Sequence, residues 1–317
     1  MKSLVTGGAG FIASNFVRRL LKVSDDEITI LDCFTYAGDR RTLADLMENS
    51  RVSFVQGDVC DRETVNRAVK GHKQIVHFAA ESHVDRSIQN PDQFVLTNCL
   101  GTNVMCDVAR THDIEKLVHV STDETYGSIE TGSFDELDLL NPSSPYAASK
   151  AASDLIALSY RTTFDLPVIV TRSSNNYGPF QHPEKLIPLF ITNLLDGLSV
   201  PLYGTGQNIR DWIYVEDNCN AIETVLRSGN LGETYNIGAD NEVTNLDITN
   251  RLIGLCEAKS DAMIFVEDRL GHDLRYSVDC SKVRSLGWTP RMSLPEGLAK
   301  TVDWYRENQA WWRGKKS

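Results

Sequence analysis

One rhythm constrains this chain more than any other feature. Short apolar, β-branched runs, "SLVT" (3–6), "ITIL" (28–31), "VSFV" (52–55), "QIVHF" (74–78), "KLVHVS" (116–121) and "PVIVTR" (167–172), alternate with stretches of helical period. Near-continuous apolar strands belong to a parallel sheet covered by helices on both faces, and right-handed crossovers wind such a string into a Rossmann-type order. The expected fold class is therefore α/β, a doubly wound parallel sheet with a smaller α/β unit packed against it. The rhythm breaks after about residue 173 into longer polar loops, shorter strands such as "SVPLYG" and "YNIG", and helices near 184–196, 216–227, 245–257 and 294–307. We expect a nucleotide-binding domain over 1–172 and a mainly substrate-binding domain over 173–317, with some segments of the latter returning to the sheet. No linker rich in Pro, Gly or Ser separates the halves, so they should pack together.

Composition narrows the partners. With 317 residues, 41% of them hydrophobic, the chain can bury a large core. A net charge of −11 without a basic cluster argues against nucleic acid and anionic membrane. No apolar run reaches the length of a membrane span, and "MKSLVTGG" runs straight into a strand, so a cytoplasmic address is expected. The seven cysteines are scattered without a CxxC pair and are expected to be reduced packing residues; no metal is expected.

The first chemical motif is "TGGAGFIA" (6–13), which follows a strand and opens a helix. Gly7, Gly8 and Gly10 let the backbone approach a pyrophosphate, and Ala13 keeps the helix close to the sheet. Asp32, at the end of the second strand, is spaced to accept ribose hydroxyls, which makes the site a dinucleotide site. Cys33 follows it where an Arg would favour a 2′-phosphate, so NAD is expected over NADP. Arg40 and Arg41 at the start of a helix suit a solvated face. Asp58 in "QGDV" either meets the adenine amino group or caps the turn before "RETV".

The second motif is Tyr146 and Lys150 in "SPYAASKAASDLI". Four residues apart on a helix, they share a face, so an ammonium could lower the phenol's pKa and leave a base for a hydroxyl proton. Such pairs also arise on plain surfaces, but this one follows a dinucleotide loop and the segment "HVSTDETYG" (119–127). That segment sets Thr122, Asp123 and Glu124 side by side. In a regular strand Asp123 would point away from its neighbours, so the strand should end here. The bland alternative is an acidic pair capping a loop.

Together with "TYAG", "FAAESHVDRSI", "SSNNYGPFQHPEKLIPL", "YGTGQNIRDWIYVED", "ETYNIG", "RLGHDLRY" and "TVDWYRENQAWW", these motifs resemble the extended short-chain dehydrogenase/reductases, and within them the dTDP-glucose 4,6-dehydratases, over nearly the whole chain. The resemblance implies a homodimer, through helices near 91–111 and 146–164, that uses NAD to dehydrate dTDP-glucose to the 4-keto-6-deoxy sugar. It implies Tyr146 as base at the C4 hydroxyl, Thr122 positioning that oxygen, Lys150 supporting the phenol, Glu124 removing the C5 proton and Asp123 protonating the departing C6 hydroxyl. Cofactor contacts are implied for Gly7, Gly10, Phe11, Ile12, Asp32, Cys33, Phe34, Thr35, Asp58, Val59, Phe78, Ala79, Ala80, Glu81, Ser82 and Thr97, besides Tyr146 and Lys150. Sugar-nucleotide contacts are implied for Ser82, Thr122, Asn175, Lys185, Leu186, Pro201, Tyr203, Arg210, Asn245, Arg269 and His272. Arg210 and Arg269 suit a diphosphate clamp, with a structural ion pair, for Arg210 to Asp211, as the alternative.

Thr125, Leu270 and Leu274 depart from the family pattern, as does "AGDRR" after "TY". A UDP-glucose 4,6-dehydratase, 4-epimerase or UDP-glucuronate decarboxylase would keep the glycine loop and the Tyr/Lys pair. Asp123 beside Glu124 favours a dehydratase over an epimerase or decarboxylase. A non-catalytic NAD-binding module would need neither acid.

Overall fold

A computed structural model describes residues 1–316. Six strands of the first half, Lys2–Thr6 (β1), Glu27–Asp32 (β2), Val52–Gln56 (β3), Gln74–His77 (β4), Lys116–Thr122 (β5) and Val168–Ser173 (β6), fall within a residue or two of the apolar runs that announce them. Asn175–Tyr177 (β7), Val200–Tyr203 (β8), Ile209–Tyr214 (β9), Thr234–Ile237 (β10), Glu242–Thr244 (β11) and Met263–Val266 (β12) follow. The main sheet has the order β10-β6-β5-β4-β1-β2-β3, all parallel, which is the Rossmann order extended by one strand. That extra strand comes from the second half of the chain. The helix before it, Val215–Ser228, packs against the helix Phe11–Val23 behind the glycine loop.

Two interior clusters flank the sheet, one gathering Phe16, Val17, Ile222 and Val225, the other Val65, Met105, Val108 and Ala157. A third, around Phe190, Ile191, Trp212, Leu298 and Trp312, holds the smaller unit, whose β11-β9-β7 and β12-β8 sheets lie beside the C-terminal ends of the main strands. Burying side chains of this size is worth about 1.5–3 kcal/mol each, so both units have substantial cores. The helix Pro145–Phe164 starts sharply because Ser144 accepts the Ala147 N–H and Pro145 occupies its first turn. The expected helix near 91–111 is not uniform: a π-helical turn, Val95–Leu100, interrupts it. No described helix is long and apolar enough to cross a membrane.

Candidate active site

β1 ends at Thr6, and Gly7 turns the chain with φ +67°; a Cβ there would lie 2.8 Å from the backbone of Ala79. Gly10 then opens the helix without a side chain between its backbone and the cavity in front. Asp32 holds this loop, its carboxylate accepting the Ala9 N–H (2.9 Å) and the Phe34 N–H (2.7 Å). Burial raises its pKa against those two hydrogen bonds. A cavity of about 240 Å³ runs along the strand ends, and every expected cofactor residue except Phe34 lines it. The left-handed backbone of Phe34 (φ +55°) instead sends its ring onto Phe54 at 5.0 Å and under the Arg40 guanidinium, so its side chain is turned to those neighbours and does not line the cavity. Arg41 pairs with Asp39, and neither arginine lines the cavity, in keeping with a solvated face. Asp58 both faces the cavity and accepts the Cys60 N–H; the helix cap proper is Asp61. A glycine cradle at a helix N-terminus, with a ribose-accepting carboxylate at the neighbouring strand end, fits NAD.

β5 ends at Thr122, and Asp123–Tyr126 turn as a 3₁₀ helix. Thr122 brings about that break: its hydroxyl accepts the Glu124 N–H (3.3 Å) and donates to Asp123 (3.2 Å). The two acids then meet different surroundings. Asp123 is 3% exposed with one carboxylate oxygen unpartnered, and burial followed by the charges of Glu124 and Asp211 pushes its pKa well up. Glu124 is also raised by burial, but Arg269, Lys185 and Arg210 oppose the rise. Both carboxyls are biased to hold a proton, Asp123 strongly and Glu124 less so, because three cations oppose the latter's rise.

Tyr146 and Lys150 are both buried and line the first cavity. Lys150 donates to the Val120 carbonyl (2.8 Å), and burial pulls its pKa down to about 8. The expected lowering of the phenol is not the net result. Burial and the charge of Glu124 push the Tyr146 pKa well up, against a hydrogen bond with Thr122. Tyr146 is thus biased toward the neutral phenol, and it has to give that proton up to solvent before it can take one from a hydroxyl.

A second cavity, about 190 Å³, is lined by Glu124 and by Asn175, Lys185, Leu186, Pro201, Tyr203, Arg210, Asn245, Arg269 and His272. Ser82 lies in the first cavity, and Thr122 lines neither, its hydroxyl being engaged in the turn. Arg210 makes no ion pair with Asp211, which instead accepts the Ala239 and Asn241 N–H groups at 2.8 and 2.7 Å. The guanidinium is fixed by the carbonyls of Ile209 (2.7 Å) and Asp273 (2.8 Å) and lies over the Tyr276 ring, held in no direct ion pair among the described residues, with Glu124 and Asp123 the acids whose charges act on it. His272 is tied to Asp268 at 2.6 Å, and burial lowers its pKa. Buried side-chain atoms of Asn175, Asn245 and Arg269 have no partner among the described residues, which is a donor and acceptor set prepared for a polar, anionic ligand.

Sequence reasoning placed Lys185 and Leu186 at the sugar nucleotide but missed their neighbours in the segment that joins the two cavities. Phe180, His182 and Glu184 reach the cofactor cavity from the second half of the chain, and Glu184 and Lys185 line both. "GPFQHPEKL" carried the signal, a dense polar and aromatic loop directly after a strand. Tyr276 beneath Arg210 was likewise present in "RLGHDLRY". The departures lie at the margin: Leu270 and Leu274 are exposed, while the Thr125 hydroxyl donates to the Thr122 carbonyl at 2.9 Å and braces the same turn.

A dinucleotide cradle, a Tyr–Lys pair and a cation-lined cavity at the ends of parallel strands define an extended short-chain dehydrogenase/reductase. The profile of the GDP-mannose 4,6 dehydratase family matches residues 4–301. A dTDP-glucose 4,6-dehydratase of Streptomyces niveus is 50% identical, the alignment covering 100% of this chain and 96% of that one. The crystal structure of DesIV, a dTDP-glucose 4,6-dehydratase of Streptomyces venezuelae with NAD bound, superposes with a TM-score of 0.98 at 52% identity, covering 100% of both chains. A UDP-glucose 4-epimerase of Thermus thermophilus in complex with NAD shares the fold at a TM-score of 0.90 and 31% identity, over 97% of this chain and 100% of that one. The chain belongs to the dTDP-glucose 4,6-dehydratase family.

Proposed function

We propose that this enzyme converts dTDP-glucose to dTDP-4-keto-6-deoxyglucose, an NAD-dependent loss of water in deoxysugar biosynthesis. The observation that carries the reading is the pairing of Asp123 and Glu124 in unlike environments at the end of β5, beside Tyr146. Bound NAD would accept hydride from C4 of the glucosyl unit and return it to C6. The chain's residues move the protons. Tyr146 takes the C4 hydroxyl proton, with Lys150 supplying positive charge from one helical turn away and Thr122 orienting the same oxygen. The resulting ketone acidifies C5; Glu124, held among three cations, removes that proton, and Asp123 gives its own to the departing C6 hydroxyl. As hydride reaches C6, C5 takes a proton back from Glu124 or solvent, and the proton collected by Tyr146 makes good, through solvent, the one that Asp123 lost, so the atoms balance as one water lost.

Arg210, Arg269 and Lys185 would hold the diphosphate, and Asn175 and Asn245 would take polar groups of the sugar nucleotide. Gly7, Gly10 and Asp32 would hold the cofactor, with Tyr146 and Lys150 at its nicotinamide end. The same reading divides labour at about residue 173, with residues 215–237 returning to the sheet, and puts the enzyme in the cytoplasm. It also includes a homodimer. Val95, Leu96 and Leu100 on one helix and Leu155 and Phe164 on the next are exposed by between 42% (Leu100) and 59% (Leu155), an apolar face of the size that a partner copy would cover. Incubating the purified protein with dTDP-glucose and, separately, UDP-glucose, without added cofactor, tests the function. The expected result is a dehydrated 4-keto product from the thymidine sugar, and failure to dehydrate it would overturn the reading.

A further inference from the structure

Tyr146, Lys150 and Asp154 stand at i, i+4 and i+8 on one face of the helix Pro145–Phe164, and the last is wholly buried. The mechanism above uses the first two and leaves Asp154 without a task. Its Oδ2 accepts from Arg172 Nε at 2.9 Å, and its Oδ1 lies 3.3 Å from His119 Nε2. Arg172 in turn donates to the Tyr126 hydroxyl (2.7 Å), which donates to Asn236 (2.9 Å), so the cluster ties the helix to β5, β6 and β10. Lys150 has no carboxylate within ion-pair distance among the described residues; its polar partner is the Val120 carbonyl.

The groups facing Lys150 can be counted. Its own helix presents Tyr146 and Asp154 one turn to either side, β5 presents His119, β4 presents His77 and the π-helical turn presents Cys99, while Arg172 of β6 reaches the cluster through Asp154. Asp123 and Glu124 face Tyr146 from the end of β5. Burial lowers the pKa of both histidines, and it raises that of the Cys99 thiol, so all three are neutral. Of the two buried cations, Arg172 is bonded to Asp154, and Lys150 stands one helical turn from the same carboxylate and feels its charge without touching it. Asp154 also acts on Tyr146 directly, its charge adding to those of Glu124 and Asp123 in favouring the protonated phenol.

We propose that Asp154 is a positioning residue for the proton chemistry at Tyr146, a single carboxylate shared between Arg172 and Lys150 whose charge keeps Lys150 an ammonium beneath the phenol. A second cation buried beside Arg172 with no carboxylate nearby would shed its proton, since burial alone disfavours the charged form. Shared as it is, Asp154 holds Lys150 charged without quenching it in a direct ion pair, and the field of the ammonium remains directed at Tyr146. The inference rests on the assignment of Tyr146 as base and Lys150 as its cation.

The test is the pH profile of single-turnover NADH formation by the holoenzyme on mixing with dTDP-glucose. Asp154→Asn should move the alkaline limb toward acid by about one pH unit or more, because Lys150 then deprotonates more readily. Arg172→Gln should move it the other way, because Asp154 is released to Lys150 alone. A purely structural ion pair would lower melting temperature and amplitude in both variants and shift neither limb, and that result overturns the proposal. Should Asp154→Asn not fold, as judged by near-ultraviolet circular dichroism, the limb of Arg172→Gln decides the matter by itself: an unmoved or acid-shifted limb rejects it. Lys150→Met separates the two layers. If that variant keeps the wild-type rate and profile, the Tyr146–Lys150 assignment falls and takes this inference with it. If it abolishes the alkaline limb while the other two leave the limb in place, only the role of Asp154 falls.

Discussion

Replacing Arg210 by alanine should loosen the sugar nucleotide and leave the cofactor in place. Arg210 is 4% exposed, its guanidinium has no carboxylate partner among the described residues, and it is aimed by the carbonyls of Ile209 and Asp273 and by the face of Tyr276, 4.1 Å away. Its desolvation has therefore already been met in the folded protein, and a diphosphate entering the second cavity would gain the full charge-assisted interaction. Removing one partner of such a buried contact costs about 2–5 kcal/mol, or roughly 30- to 5000-fold in Kd. The smaller figures are favoured because Arg269 and Lys185 remain in the same cavity. Calorimetric titration with dTDP-glucose and with dTDP alone should show the same loss for both, since the contact is to the diphosphate. NAD content after purification should not change, because Arg210 does not line the cofactor cavity. Arg210→Lys should recover part of the affinity but not the fork. Wild-type affinity in Arg210→Ala would refute the argument and leave Arg210 as a brace between β9 and residues 273–274.

Three further expectations follow from the same geometry. Glu124→Gln should oxidise C4 and accumulate bound NADH with slow exchange of C5 with solvent deuterium, whereas Asp123→Asn should permit C5 exchange while losing water slowly; stopped-flow absorbance and mass spectrometry separate them, and equal behaviour would end the division of roles. Because burial holds the folded-state pKa of Asp123 above its unfolded value near 3.8, the folded chain keeps a proton that the unfolded chain releases, and stability falls as pH rises through that window. Asp123→Asn removes this penalty, so its melting temperature should exceed that of the wild type by a margin that grows as pH rises above about 4, and a constant margin would contradict the shift. Leu96→Glu, on the exposed apolar face, should halve the mass in sedimentation analysis with the fold retained; an unchanged mass would place any interface elsewhere.

The main sheet was legible because its strands are buried on both faces and therefore read as apolar blocks, and the cofactor loop was legible because glycine spacing follows from how closely a backbone must approach a pyrophosphate. "TYNI" (234–237) did not disclose that it would join β6, since four residues carry no sign of which edge they will extend. Nor did the spacing of Tyr146 and Lys150 reveal the sign of the net shift on the phenol, which depends on Glu124 arriving from another strand. The Asp154–Arg172–His119 cluster is assembled from the helix 145–164 and two strands, with contacts that no local pattern encodes. The segment after β7 reads as a polar and aromatic loop, and nothing in that local pattern says that Glu184 and Lys185 will line both cavities.

The central claim is an internal hydride transfer from C4 to C6 coupled to proton exchange at C5, and an isotope decides it. dTDP-glucose carrying deuterium at C4 should yield a 4-keto-6-deoxy product with that deuterium in the C6 methyl group and a solvent-derived hydrogen at C5, read by mass spectrometry and proton magnetic resonance. A product whose C6 hydrogen comes from solvent, or one that retains both its deuterium at C4 and its C6 hydroxyl, would contradict the account.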